Sequence, residues 1–115
     1  MTLEERIEAL ADHLELTGEE WNDITEGYDE TILEYGQQEY MVLTDDEAND
    51  RWEESLDSYI DEFIIPELPE HLKYYFDDEA WKRDARLNDG RGHSLSTYDG
   101  CEHDGINGLF IYRTN

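Results

Sequence analysis

Side chains able to do chemistry are abundant in this sequence but of one kind. There are 32 Asp and Glu, against 8 Lys and Arg, 4 His and a single cysteine, Cys101. The densest run is Asp45 to Glu62, where Asp45, Asp46, Glu47, Asp50, Glu53, Glu54, Asp57, Asp61 and Glu62 share the segment with one base, Arg51. A second group, Glu26, Asp29, Glu30 and Glu34, lies within the acidic stretch Glu15 to Glu39. Carboxylate pairs for glycoside hydrolysis exist here at almost any spacing, so their presence selects nothing. A calcium loop of the EF-hand kind fails at its glycines. Before Gly27 the ligand positions fall on Asn22, Ile24 and Glu26, and before Gly90 on Ala85, Leu87 and Asp89, and neither set coordinates calcium well.

The transition-metal ligand types gather only at His93, Cys101, His103 and Asp104, at spacings that match no zinc pattern. Polar residues in and beside a turn account for them. Asp89-Gly90-Arg91-Gly92-His93 reads as a surface loop, because a phosphate-cradling glycine loop needs a strand before it and a helix after it. There is no nucleophile elbow and no pair of histidines on a helix around a glutamate. Cys101 near His103 brings no oxyanion donors with it. The expectation is a protein that is not an enzyme and needs no metal or cofactor.

The remaining use for the carboxylates is as charge. In a helix at about 1.5 Å rise per residue, Asp45 to Glu62 spans about 27 Å, one carboxylate every 3 Å or so. One strand of B-DNA carries a phosphate about every 3.4 Å. The formal charge is −24, well beyond the magnitude of about 2 to 8 that keeps a small domain soluble. It is also unevenly placed: residues 1–79 hold 27 acids against Arg6, Arg51 and Lys73, whereas residues 80–115 hold 5 acids and 5 bases. A charge of this sign excludes direct binding to nucleic acid or to anionic membrane surfaces, both of which demand surplus Lys and Arg. The natural partner is basic.

The elements that must position these charges follow from periodicity. Thr2 and Glu5 form a capping box before the stripe Leu3, Ile7, Leu10, Ala11 and Leu14, so residues 3–15 are helical and Gly18 ends the region. An acidic segment with Trp21 and Ile24 follows. Glu30 to Tyr35 and Gln38 to Leu43, around Gly36 and Gln37, read as a β-hairpin, with helix as the competing reading. Thr44 and Glu47 make a second capping box, opening a helix whose stripe Ala48, Trp52, Leu56, Tyr59, Ile60 and Phe63 runs until Pro66. Pro69 starts a short helix through Tyr75. Asp77 caps another, with Ala80, Trp81, Ala85 and Leu87 facing inward. Asn88 to Gly92 is a loop, and Ser94 to Tyr98 with Leu109 to Tyr112 form a C-terminal hairpin. The 14 aromatic residues argue against a disordered acidic tail. The whole reads as one small α+β domain over residues 1–115, with about three helices and central and C-terminal β-hairpins. No apolar run approaches the roughly 20 residues of a membrane span, no signal peptide opens the chain, and one cysteine suits a reducing compartment. The cytoplasm of a host cell is the expected location.

The segment Leu68-Pro69-Glu70-His71-Leu72, then Tyr75-Phe76-Asp77, Glu79-Ala80-Trp81 and Arg83-Asp84, resembles the C-terminal part of the ArdA-type antirestriction proteins of plasmids and phages, over roughly residues 59–87. What the resemblance implies is an acidic, elongated DNA mimic that acts as a homodimer and occupies the DNA-binding groove of type I restriction-modification enzymes. The ending, His93 to Asn115, looks more like small phage proteins.

Charge and resemblance together lead to a DNA-mimic inhibitor of a host DNA-binding defence complex, its partner a basic DNA-binding protein or nuclease. Asp45 to Glu62 would supply one phosphate-like row and Glu26, Asp29, Glu30 and Glu34 a second. Three other readings stand beside it. One is an anti-CRISPR protein covering the Arg and Lys of an RNA-guided effector that read the PAM or hold the DNA. Another is an acidic adaptor that binds a host regulator through Trp21, Trp52, Trp81 and the run Tyr74-Tyr75-Phe76. The last is an acidic, halophilic surface with no partner.

Overall fold

In the computed structural model, which describes residues 2–115, helix α1 (Leu3–His13) is followed by a 3-10 turn (Glu20–Asp23) and strands β1 (Ile24–Glu26), β2 (Ile32–Tyr35) and β3 (Gln38–Thr44). Helix α2 (Asp45–Tyr59) runs on through a π-helical turn (Ile60–Ile64) and a 3-10 turn (Ile65–Glu67) into α3 (Glu70–Lys73), α4 (Asp78–Asn88) and α5 (Arg91–Leu95). Strand β4 (His103–Asp104), a 3-10 turn and β5 (Leu109–Arg113) close the chain. The five strands form one antiparallel sheet in the order β1-β2-β3-β5-β4. It is a small single-domain α+β fold.

Both capping boxes form as the sequence predicts: Thr2 and Thr44 each accept the N–H of the glutamate three residues on, and each glutamate reaches back to its cap. The end of α1 differs. It stops at Leu14, not Gly18, because Glu15 takes the left-handed conformation (φ 58°) and completes a Schellman motif. The Leu16 N–H bonds the Ala11 carbonyl at 2.9 Å and the Glu15 N–H bonds Asp12 at 3.1 Å, which satisfies the last carbonyls one turn earlier than a glycine at position 18 would allow. The β2–β3 hairpin stands where expected. Gly36, with φ 65°, opens its two-residue turn, the requirement of a II′ turn that only glycine meets without strain.

The sheet is covered on both faces. Leu33, Tyr40, Val42, Leu109 and Ile111 pack under Ala9, Leu10 and Ala11 of α1. Ile32, Met41, Leu43 and Tyr112 pack under Ala48 of α2 and Leu95 of α5. Alternation along β3 and β5 therefore feeds two cores, which is why those strands are apolar on both sides.

The C-terminal pairing is not the predicted one. Ser94 to Tyr98 forms no strand, and Arg91 opens helix α5 instead of ending a loop. Gly92 is buried with its Cα so close to the chain at Cys101–Glu102 that a Cβ would sit 2.6 Å from the Glu102 nitrogen. That approach closes a helical turn, with Ser96 N–H on the Gly92 carbonyl at 2.8 Å. The edges of β5 are taken by β3 on one side and the short β4 on the other, so β5 joins the central β2–β3 hairpin in one sheet and the expected C-terminal hairpin does not form.

The apolar stripe of α2 also turns. Ala48, Leu56 and Ile60 are buried, but Tyr59 and Phe63 are exposed. The π-helical turn Ile60–Ile64 inserts an extra residue into the helical repeat and rotates Phe63 toward solvent; Tyr59 precedes it and stacks on Trp81 of α4. No residue from Asp61 to Trp81 is buried, so this part of the chain is a thinly packed helical arm on a molecule measuring 60 × 24 × 22 Å. Leu87 is exposed, not inward. The buried side chain of α4 is Lys82, and its carboxylate partners on α2 set the rotation of the helix. Among the described residues no helix is long and apolar enough to cross a membrane.

Candidate partner-binding face

The structure divides the acidic row of α2 by what each carboxylate touches. Glu47 is internal to the fold: its two oxygens take the Arg6 guanidinium at 2.9 Å each, while Arg6 Nη1 also donates to the Val42 carbonyl at 2.6 Å. Arg6 is 2% exposed, so this fork joins α1, β3 and the start of α2. Burial alone would raise the Glu47 pKa, but the bonds from Arg6 and Thr44 outweigh it and hold the carboxyl below its ordinary value.

Glu53 and Asp57 are likewise engaged. The Lys82 ammonium of α4 lies 2.6 Å from Glu53, 2.9 Å from Asp57 and 3.2 Å from Glu79, and Arg86 adds a bond to Glu53 at 2.7 Å. The bonds to Glu53 and then Asp57 push the Lys82 pKa well above its ordinary value, against burial. Asp45 takes Arg91 of α5 at 2.9 Å, and Arg91 also holds Glu102 at 2.5 Å and lies over the Phe110 ring.

What remains is a stripe. Asp46, Asp50 and Glu54 follow one another at i, i+4, about 6 Å apart along the axis. They are exposed, as are Asp61 and Glu62 in the turn beyond, and all five stand outside the ion pairs among the described residues. Of the nine predicted carboxylates of this row, five are thus left outside any ion pair among the described residues.

The second group does not form a row. Strand alternation puts Glu34 on the sheet face that carries α2 and Glu26, opposite Leu33, on the face that carries α1. Glu30 is exposed in the loop between β1 and β2. Asp29 is a turn residue: it accepts the Thr31 N–H at 2.7 Å and the Thr31 hydroxyl, and lies 3.9 Å from Arg51. The bond from the Thr31 hydroxyl leads in lowering its pKa.

Three features had no clear signal in the sequence. The first is the placement of the bases: six of the eight Lys and Arg, namely Arg6, Arg51, Lys73, Lys82, Arg86 and Arg91, are in internal ion pairs. The second is a ring pair, His13 of α1 against His103 of β4 at 4.8 Å. Among the described residues no three His, Cys, Asp or Glu converge as metal ligands. The third is Trp81 stacked on Tyr59 at 5.5 Å, at the rim of a cleft of about 300 Å³ between α2, α4 and α5.

The nine ion pairs engage eight carboxylates, which leaves 24 of the 32 outside any pair among the described residues. No protein-family model, no curated protein and no solved structure matches the chain.

Proposed function

We propose that the protein is a mimic of duplex DNA that inhibits a host DNA-binding defence complex by occupying its basic groove, with type I restriction-modification enzymes the first candidate target. One observation carries this reading: Arg6, Lys82, Arg86 and Arg91, half of the bases, serve as cross-links to α2, while most of the acids are left outside along a rod. A net charge of −24 over 60 Å is one charge per about 2.5 Å, against about 1.7 Å for duplex DNA. The Asp46, Asp50, Glu54 stripe supplies a regular part of that charge. An acidic rod presents to a basic cleft what DNA presents, and long-range attraction speeds its arrival. Mechanism here is occupancy, with no covalent step.

The test is competition on a purified target. The expected result is that the protein inhibits DNA cleavage by a type I restriction complex, that excess duplex DNA displaces it, and that the association rate falls steeply between about 50 and 200 mM salt as screening tightens. Inhibition of an RNA-guided nuclease in place of the restriction complex moves the target but keeps the mechanism. A complex that duplex DNA does not displace, formed at a rate flat in salt, removes the mimic reading and leaves an adaptor that binds through its aromatic residues.

A further inference from the structure

The cleft between α2, α4 and α5 has a lining unlike the rest of the surface. Tyr59 and Trp81 present stacked rings, with planes 13° apart, and Asp89 stands at the C-terminal end of α4. Ser55, Ser94 and His93 add polar atoms, and no Lys or Arg lines it. Asp89 belongs to none of the ion pairs among the described residues. The walls are fixed independently of any occupant, because Lys82 ties α4 to α2 and Arg91 ties α5 to α2. An open carboxylate beside aromatic rings in a field of −24 rejects anions. The same combination favours a flat, weakly hydrated cation that stacks and donates several hydrogen bonds at once. The guanidinium group has that shape; an ammonium is compact and strongly hydrated.

We propose that this cleft receives an arginine side chain presented by the basic partner. Duplex DNA offers the same reception in its narrowed minor groove, where arginines insert, so the cleft adds a groove to the phosphate-like stripe. That the arginine comes from a DNA-binding protein rests on the proposed function; the affinity of the cleft for guanidinium does not.

The experiment is a titration of the full chain with N-acetyl-arginine amide, followed by the Trp81 indole N–H and the backbone amides of Asp89, His93 and Ser94 in two-dimensional NMR, with N-acetyl-citrulline amide as the uncharged isostere. The expected result is saturable shifts confined to the cleft, at least tenfold weaker for citrulline. Asp89→Asn, which preserves shape, and Trp81→Leu each weaken arginine at least fivefold, and Glu4→Gln, exposed on α1, leaves it unchanged. Shifts spread evenly over the acidic surface without saturation, or equal response to citrulline, overturn the site. If arginine binds the cleft but Asp89→Asn inhibits the target as well as the wild-type protein does, the partner's arginine is not the occupant, while the mimic reading, judged by DNA competition, still stands.

Discussion

If the proposed function holds, neutralising the outer stripe separates charge that serves the partner from charge that serves the fold. The variant carries Asp46→Asn, Asp50→Asn and Glu54→Gln, all exposed and outside the ion pairs. On the stability side it removes two like-charged i, i+4 contacts, each worth about 0.2–0.5 kcal/mol. It also removes one acid from the first turn of α2, where the helix dipole favours negative charge by about 0.3–1 kcal/mol. The terms nearly cancel, so the urea midpoint stays within a few tenths of a molar unit. On the binding side, close charge pairs at interfaces couple by about 1.5 kcal/mol at the low end. Three such pairs come to about 4.5 kcal/mol, a loss on the order of a thousandfold in affinity. The control is Glu53→Gln with Asp57→Asn, a smaller change in charge. It leaves Lys82, 3% exposed, with Glu79 alone, and stranding a buried charge costs about 3 kcal/mol or more. The assay is urea denaturation by circular dichroism beside inhibition of the target nuclease. Undiminished inhibition by the stripe variant, with the fold intact, refutes the assignment of this face.

Three further outcomes rest on the packing. Arg6→Met loses the fork to Glu47 and the bond to Val42 and costs about 3 kcal/mol, the lower end for breaking a buried pair because Glu47 is partly exposed. Since the Glu47 pKa is depressed in the folded state, its contribution is present above about pH 4.5 and is lost as pH falls below that; the acid limb of a stability profile flattens in the variant. Burial first, and then the neighbouring His103, lower the His13 pKa. The unfolded chain therefore takes up that proton more readily, and stability falls as pH drops below about 6.5, a slope that His13→Gln removes in thermal melts read from pH 7.5 to 5. Gly92→Ala places a Cβ 2.6 Å from the Glu102 nitrogen and costs about 1–3 kcal/mol of overpacking, read as a lowered melting temperature; a neutral result means that α5 shifts away from the chain at Cys101 without penalty.

Elements set by local rules were legible in the sequence, and those set by distant contacts were not. Capping boxes and the Gly36 turn act within a few residues, and the starts of α1 and α2 and the β2–β3 hairpin stand as those rules place them; the stop expected at Pro66 does not, since α2 ends at Tyr59 and Pro66 sits inside the 3-10 turn Ile65–Glu67. β1 has only three residues, too short for an alternating pattern to show. The strand expected at Ser94 to Tyr98 fails because Gly92 meets Glu102, ten residues on, and no local preference encodes that contact. Within the acidic row, spacing put Asp46, Asp50 and Glu54 on one face. Nothing local, however, distinguished them from Glu53, whose partners Lys82 and Arg86 lie 29 and 33 positions away. The burial of Lys82 was hidden for the same reason: lysine is almost never fully buried unless paired, and its pairs are long-range.

That division of labour explains how a chain of this charge folds at all. Repulsion among 24 surplus charges opposes compaction, and the cross-links that oppose it converge on α2. Arg6 reaches it from α1, Lys82 and Arg86 from α4, and Arg91 from α5, using Asp45, Glu47, Glu53 and Asp57. One helix thus holds α1, α4 and α5 with its flanks and keeps Asp46, Asp50 and Glu54 on its outer stripe. If net charge alone set function, replacing Arg6 or Lys82 by a neutral residue would improve a DNA mimic by making it more negative. The structure gives the opposite expectation: each loss frees a carboxylate that no longer has a fixed position and loosens a helix from α2. On the proposed reading, what matches a basic groove is a charge row held in place, and the internal bases hold it.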